Sequence, residues 1–232
     1  MTERGECAVC AWMPGAFARL GPRLAADFLA DTGQRVELAA FRPSGLLAHA
    51  ILAGETADVY VSASVLWMRR LQRAGIVRHW STLARNRLCL IARHGVQING
   101  LADVARPGLV VVAPQAHTDP CGRYVEELWR QSGLLNTMRA KQANGELLRS
   151  EGSGDLPLYL EDGRAAVGML YASEARQLDV TAVKTIELSA DEDMRSRIRF
   201  VIAAITPRGQ PFVHWLLGTP GQKRLAASGF LT

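Results

Sequence analysis

Short apolar runs of strand length alternate along this chain with stretches whose apolar residues recur every three or four positions. Residues 7–12 read as a first strand, ended by the breaker Met13-Pro14-Gly15. Phe17, Leu20, Leu24, Phe28 and Leu29 then fall at helical spacing, and Gly33 closes that helix. A second strand is predicted over 36–39. The turn Arg42-Pro43-Ser44-Gly45 leads from it into an apolar helix over 46–52, with Ser44 where an N-cap would stand. A third strand over 58–61 runs into Ser62-Ala63-Ser64, another helix start.

Strands are next expected over 87–92 and 110–113, with a loop over 114–120 and an amphipathic helix over 122–131. A helix over 156–160 starts near Ser153-Gly154. The unbroken apolar run 166–171 suits a strand buried on both faces. A late strand over 199–205 and helices over 211–217 and 222–227 close the chain. Alternation of this kind is the pattern of an α/β protein with mainly parallel sheets. It repeatedly sets helix N-terminal N–H groups at the carboxyl end of a strand, where open α/β sheets bind ligands.

Composition narrows the classes. With 48% hydrophobic and 21% charged among 232 residues, the chain can bury a sizeable core. No stretch approaches the ~20 apolar residues of a membrane span, so no membrane insertion is expected. The net charge of +5 favours anionic partners in general. Its Lys and Arg are scattered, densest at Arg69, Arg70 and Arg73, and do not form the basic patch of a nucleic-acid binder. Cys7, Cys10, Cys89 and Cys121 show no zinc or disulfide framework, and buried small side chains are the expected use. No metal site or cofactor is predicted.

Catalytic motifs are scarce. His49, His79, His94, His117 and His214 lie in no recognisable metal or nucleophile motif, and there is no phosphate loop or dinucleotide fingerprint. Glu151-Gly152-Ser153-Gly154 approaches a nucleophile elbow but lacks a predicted strand before it. Five helix starts remain: Gly15-Ala16, Ser44-Gly45, Ala63-Ser64, Cys121-Gly122 and Ser153-Gly154. Small residues there let backbone N–H groups approach an anion, although ordinary capping accounts for any one of them equally well.

The order of these pieces resembles the substrate-binding proteins of bacterial ABC importers for molybdate and tungstate, of the type II periplasmic binding protein superfamily. The likeness is carried by Ser44-Gly45-Leu46-Leu47-Ala48, Ile51-Leu52-Ala53-Gly54, Ala57-Asp58-Val59-Tyr60-Val61-Ser62-Ala63, Trp67-Met68 and Gly75-Ile76-Val77. Further on, Asp119-Pro120-Cys121-Gly122-Arg123-Tyr124 is similar to the Pro-x-Gly-x-Tyr helix start of molybdate binders and to an Asp-Pro-Cys-Gly run of the archaeal group. Gly168-Met169-Leu170-Tyr171 with Ser173-Glu174-Ala175, and the segment from Pro211-Phe212 to Gly229-Phe230, complete it.

The resemblance implies two lobes, each a mainly parallel sheet flanked by helices. Their expected ranges are 1–82 plus 203–232 and 83–202, with a ligand cleft between them. It implies capture of a small oxyanion (molybdate, tungstate or a sulfate-like ion) by uncharged hydroxyls and backbone N–H groups, for delivery to an importer permease. The ligand-binding positions it implies are Gly15, Ala16, Ser44, Gly45 and Ala63, with Cys121, Ser153 and Tyr171. No catalytic residue is implied, and a monomer is expected. Where molybdate binders carry a serine after the first strand, this chain has Gly15-Ala16, and Cys121 replaces an alanine. Carboxylate coordination of the metal through Asp119 and Glu174 is not carried over, because Glu174 falls out of register beyond Tyr171.

The periplasm is the location implied, with the export segment outside this sequence, since Met1 to Cys7 lacks the apolar core of a signal peptide. A cytoplasmic ligand sensor of the same fold is an alternative. A second is an enzyme with Cys121 as thiolate nucleophile at a helix start and His117 as its base.

Overall fold

The computed structural model describes residues 8–232, so Cys7 and any pairing of Cys7 with Cys10 lie outside it. Contacts divide the chain into two compact units. The first takes the residues up to Ala84, Arg199–Ala227 and Thr232, and the second Arg85–Ile198 with Ser228–Leu231. The borders thus fall at 84/85 and 198/199, against the expected 82/83 and 202/203. Residues 228–231 join the second unit because Leu231 exchanges backbone hydrogen bonds of 2.7 and 2.9 Å with Arg85.

The first unit holds a five-stranded sheet. Its strands are β1 (Val9–Met13), β2 (Val36–Phe41), β3 (Val59–Ser62), β4 (Ser81–Arg85) and, late in the chain, β10 (Arg199–Ala204), in the order β2-β1-β3-β10-β4. β1 lies parallel to both β2 and β3, and β10 returns antiparallel to β3. The helices α2 (Ser44–Leu52) and α3 (Val65–Arg73) bury Leu47, Met68 and Leu71 against Trp12 and Val201. Elsewhere in the unit, α1 (Gly21–Thr32) packs Phe28 edge-on to Phe212 and Trp215 of α8 (Gln210–Leu217), at 5.1 and 5.6 Å between ring centroids. The indole N–H of Trp215 donates to Asp31 at 2.9 Å, so the ring buries its face and satisfies its polar edge. The chain ends with α9 (Thr219–Ala227), its Leu225 fully buried.

The second unit repeats the plan. Its strands are β5 (Leu88–Arg93), β6 (Val111–Pro114), β7 (Leu147–Ser150), β8 (Val167–Tyr171) and β9 (Val183–Glu187), in the order β7-β6-β8-β5-β9. Strands β7, β6 and β8 run parallel, while β5 is antiparallel to β8 and β9. Both sheets are therefore mixed. Their helices are α4 (Pro120–Gln131), α5 (Leu135–Ala143), α6 (Leu156–Glu161) and the short α7 (Ala172–Ala175). Gly168 lets α6 close on the sheet, since a Cβ there would stand 2.5 Å from a Leu156 methyl.

The sequence did not anticipate β4, β7 or β9. It placed the start of α4 at residue 122, but the helix opens at Pro120, where proline's fixed φ and missing N–H cost nothing.

Candidate functional site

In the first unit the sequence sets three turns at the carboxyl ends of the adjacent parallel strands β2, β1 and β3. Gly15-Ala16 follows β1 as a single 3₁₀ turn, with Ala16 buried. Ser44 opens α2 after β2, and Ala63 follows β3. The outer two meet across the end of β1, because Ser44 Oγ accepts from Ala63 N–H at 3.0 Å. Ser44 is thus not the N-cap expected of it. Pro43 occupies that position, and the hydroxyl serves a neighbouring loop. Tyr60 Oη donates to Ser44 carbonyl O at 2.7 Å, which fixes the start of α2 from below.

Ser44 and Ala63 are both wholly buried. Accepting from Ala63 leaves the Ser44 hydroxyl its own proton to give. Ser44 and Gly45, as the first two residues of α2, have N–H groups with no acceptor in their own helix. Ser62 and Ser64 are engaged locally: Ser62 Oγ accepts from Ser64 N–H at 3.1 Å, and Ser64 caps α3 through Leu66 N–H at 3.3 Å. This end of the unit presents hydroxyl and amide dipoles.

The second unit places Cys121, Ser153 and Tyr171 at the corresponding ends of β6, β7 and β8, but a carboxylate organises them. Asp119 caps α4 by accepting from Cys121 N–H through Oδ1 at 2.7 Å, and it accepts from Ser153 N–H through Oδ2 at 2.9 Å. One side chain therefore joins the turn after β6 to the turn after β7, and it is 4% exposed. Burial pushes its carboxyl up to about 6, against the lowering effect of the two amide bonds, and Asp155 adds to the rise.

Gly122 makes this close approach possible, because a Cβ there would stand 2.3 Å from the Pro114 carbonyl oxygen. Tyr171 ends β8 fully buried, and burial raises its phenol well above the ordinary value, so it is a neutral group. Beyond it Ser173 Oγ accepts from Asn86 Nδ2 at 2.8 Å, both residues being wholly buried.

The structure thus brings Ser44 and Ala63 into contact in the first unit, and joins Cys121 to Ser153 through Asp119 in the second. From the sequence, Asp119 enters only as a carboxylate whose coordination of metal is not carried over, and it is given no other role. Its signal was Asp-Pro at a helix start, which predicts the cap but not the bond to an amide 34 residues away.

Two expectations change. A strand, β7, does precede Glu151-Gly152-Ser153-Gly154, yet Ser153 is buried in a 3₁₀ turn whose N–H is bound to Asp119 rather than standing on an elbow. Cys121 is no thiolate: desolvation raises its thiol well above the ordinary value, and Asp119 and Glu174 raise it further. His117 is exposed while Cys121 is wholly buried. Among the described residues, no group of three or more His, Cys, Asp or Glu could hold a metal ion, and no helix is long and apolar enough to cross a membrane.

A family model described as bacterial extracellular solute-binding protein matches residues 11–231. The molybdate-binding protein ModA of Mycobacterium tuberculosis is 28% identical over 229 residues, covering 94% of this chain and 80% of that protein. ModA of Escherichia coli is 28% identical over 194 residues, covering 78% and 71%. Among solved structures, the periplasmic molybdate-binding protein of Azotobacter vinelandii aligns with a TM-score of 0.84 at 17% identity, over 97% of this chain and 99% of that one. The sulfate-binding protein SubI of Mycobacterium tuberculosis aligns with a TM-score of 0.76 at 16% identity, over 97% and 86%.

Proposed function

For a chain that belongs to the bacterial extracellular solute-binding proteins, we propose capture of a small tetrahedral oxyanion of the molybdate, tungstate or sulfate kind and its delivery to an ABC importer permease. The observation that carries this reading is the buried pair Ser44 and Ala63. A neutral hydroxyl, set in place by a backbone amide, stands beside the unpaired first amides of α2 at the ligand edge of a parallel sheet. Donors of this kind hold an anion without a buried counter-charge, whose desolvation would cost several kcal/mol. The molybdate and sulfate named for the relatives support the same class of ligand.

The groups offered to the anion are Ser44 and Ala63 with Gly15, Ala16 and Gly45 in the first unit, and Cys121, Ser153 and Tyr171 in the second. A periplasmic location and a monomeric state accompany this reading. Isothermal titration with molybdate, tungstate, sulfate and phosphate tests it. Saturable heat with at least one of them is expected, and no heat with any of the four would remove the assignment.

A further inference from the structure

At the ligand edge of the second unit, two amide donors already hold an anion, and that anion is part of the chain. Asp119 takes Cys121 N–H on one oxygen and Ser153 N–H on the other, at 2.7 and 2.9 Å, while almost wholly buried. An oxyanion approaching the same two amides meets a carboxylate in a low-dielectric setting, where like charges repel far more strongly than in water.

The two amides favour that charge, but burial outweighs them. Asp155, from the turn of Ser153, opposes it. Cys121 of α4 and Tyr171 at the end of β8 are held neutral by burial, and both sense the charges of Asp119 and of Glu174 on α7. Tyr124, one turn further along α4, is among the groups that raise the Tyr171 phenol. The causes that set the Asp119 carboxyl are its burial, the two amide bonds and Asp155.

We propose that Asp119 is a proton-binding site coupled to the ligand, so that this protein takes up one solvent proton with each oxyanion it binds. The inference rests on the oxyanion reading above. The step balances simply: a proton from water adds to the Asp119 carboxylate, which becomes a neutral acid. Its O–H turns from the anion's competitor into a donor to one of its oxygens, and the two amides pass to the ligand. The position of the carboxyl near pH 6 before loading sets the range in which the coupling is visible.

Isothermal titration with molybdate, kept dilute so that it stays monomeric and corrected for its own protonation, is run at pH 5, 6, 7 and 8 in pairs of buffers of different ionisation enthalpy, which counts protons directly. Uptake close to one proton per anion is expected at pH 7 and only about a tenth at pH 5, where Asp119 already carries its proton. The affinity should fall about tenfold per pH unit above roughly pH 6 and level off below it.

Asp119→Asn keeps a good helix cap and removes the titration. Its proton count should be near zero and its affinity flat across the same range. Binding at pH 7 without proton uptake in the unaltered protein would overturn the coupling and leave the oxyanion reading standing. Absence of molybdate heat at every pH, with the other three oxyanions equally silent, would remove both.

Discussion

The two units solve the same topological problem with opposite electrostatics. Each sets a central strand between two parallel neighbours, β1 between β2 and β3 in one, β6 between β7 and β8 in the other, and adds an antiparallel return strand beside the third. In each, one side chain accepts from a backbone amide of another turn at the carboxyl end of these strands, after β2 and β3 in the first unit and after β6 and β7 in the second. In the first unit the acceptor is the hydroxyl of Ser44, and in the second it is the carboxylate of Asp119. The first unit also has a buried carboxylate, Asp58, which accepts from Cys10 N–H at 2.9 Å and Thr206 Oγ1 at 2.5 Å. Asp58 stands immediately before β3, at the opposite end of its sheet from Ser44. Where a carboxylate lies along the strands decides which end of the sheet carries it.

The hardest way to break the second arrangement is to deny Asp119 its place. Gly122→Ala pushes a methyl to within 2.3 Å of the Pro114 oxygen and 2.8 Å of the Gln115 carbonyl carbon, both backbone atoms that cannot swing aside. Overpacking against main chain of this kind should cost about 3 kcal/mol of unfolding free energy, read from urea denaturation. Stability within about 0.5 kcal/mol of the original would mean that α4 can retreat from β6 without loss.

The next largest effect is a pH dependence contributed by Asp119 of the second unit. Asp119 has a folded value of about 6 against 3.8 for a free aspartate, so the folded state binds its proton more tightly than the unfolded chain does. The stabilisation this supplies is complete below the unfolded value and is lost as pH rises through the folded one. Between pH 4 and pH 7 the loss should be about 2 kcal/mol, and the difference in stability between the protein and Asp119→Asn should trace that curve. A pH-independent difference would place the carboxylate in contact with water.

Much of this was legible in the sequence, for a physical reason. The turns that expose amides must be small or polar, so Gly15, Ser44, Ala63, Cys121 and Ser153 stand out between apolar runs. The strands that escaped notice have weak local signals. Leu147–Ser150 is only four residues long, and Val183–Glu187 buries just Val183 and Ile186, which breaks the alternation of period two. Strand direction was also hidden: Leu88–Arg93 is as continuously buried as a parallel core strand, yet it runs antiparallel on both sides. Ser44 was read as a cap because local sequence shows only the nearest amides, and Ala63 N–H, its actual partner, is 19 residues away.

The smallest effect sharpens the comparison from the neutral side. Ser44→Ala takes the acceptor from Ala63 N–H in a wholly buried place, leaving that amide unpaired, and should cost about 1 kcal/mol of stability. It should also weaken oxyanion binding by about tenfold, the value of one lost hydrogen bond to a charged group. Because no titratable group takes part in the Ser44–Ala63 bond, the factor should be the same at pH 5 and pH 8. The affinity of the unaltered Asp119 site should slide across that range. Titrating Ser44→Ala with molybdate at both pH values measures the two contributions side by side, and a Ser44 effect that itself changed with pH would mean that the charge of Asp119 is felt at the neutral edge as well.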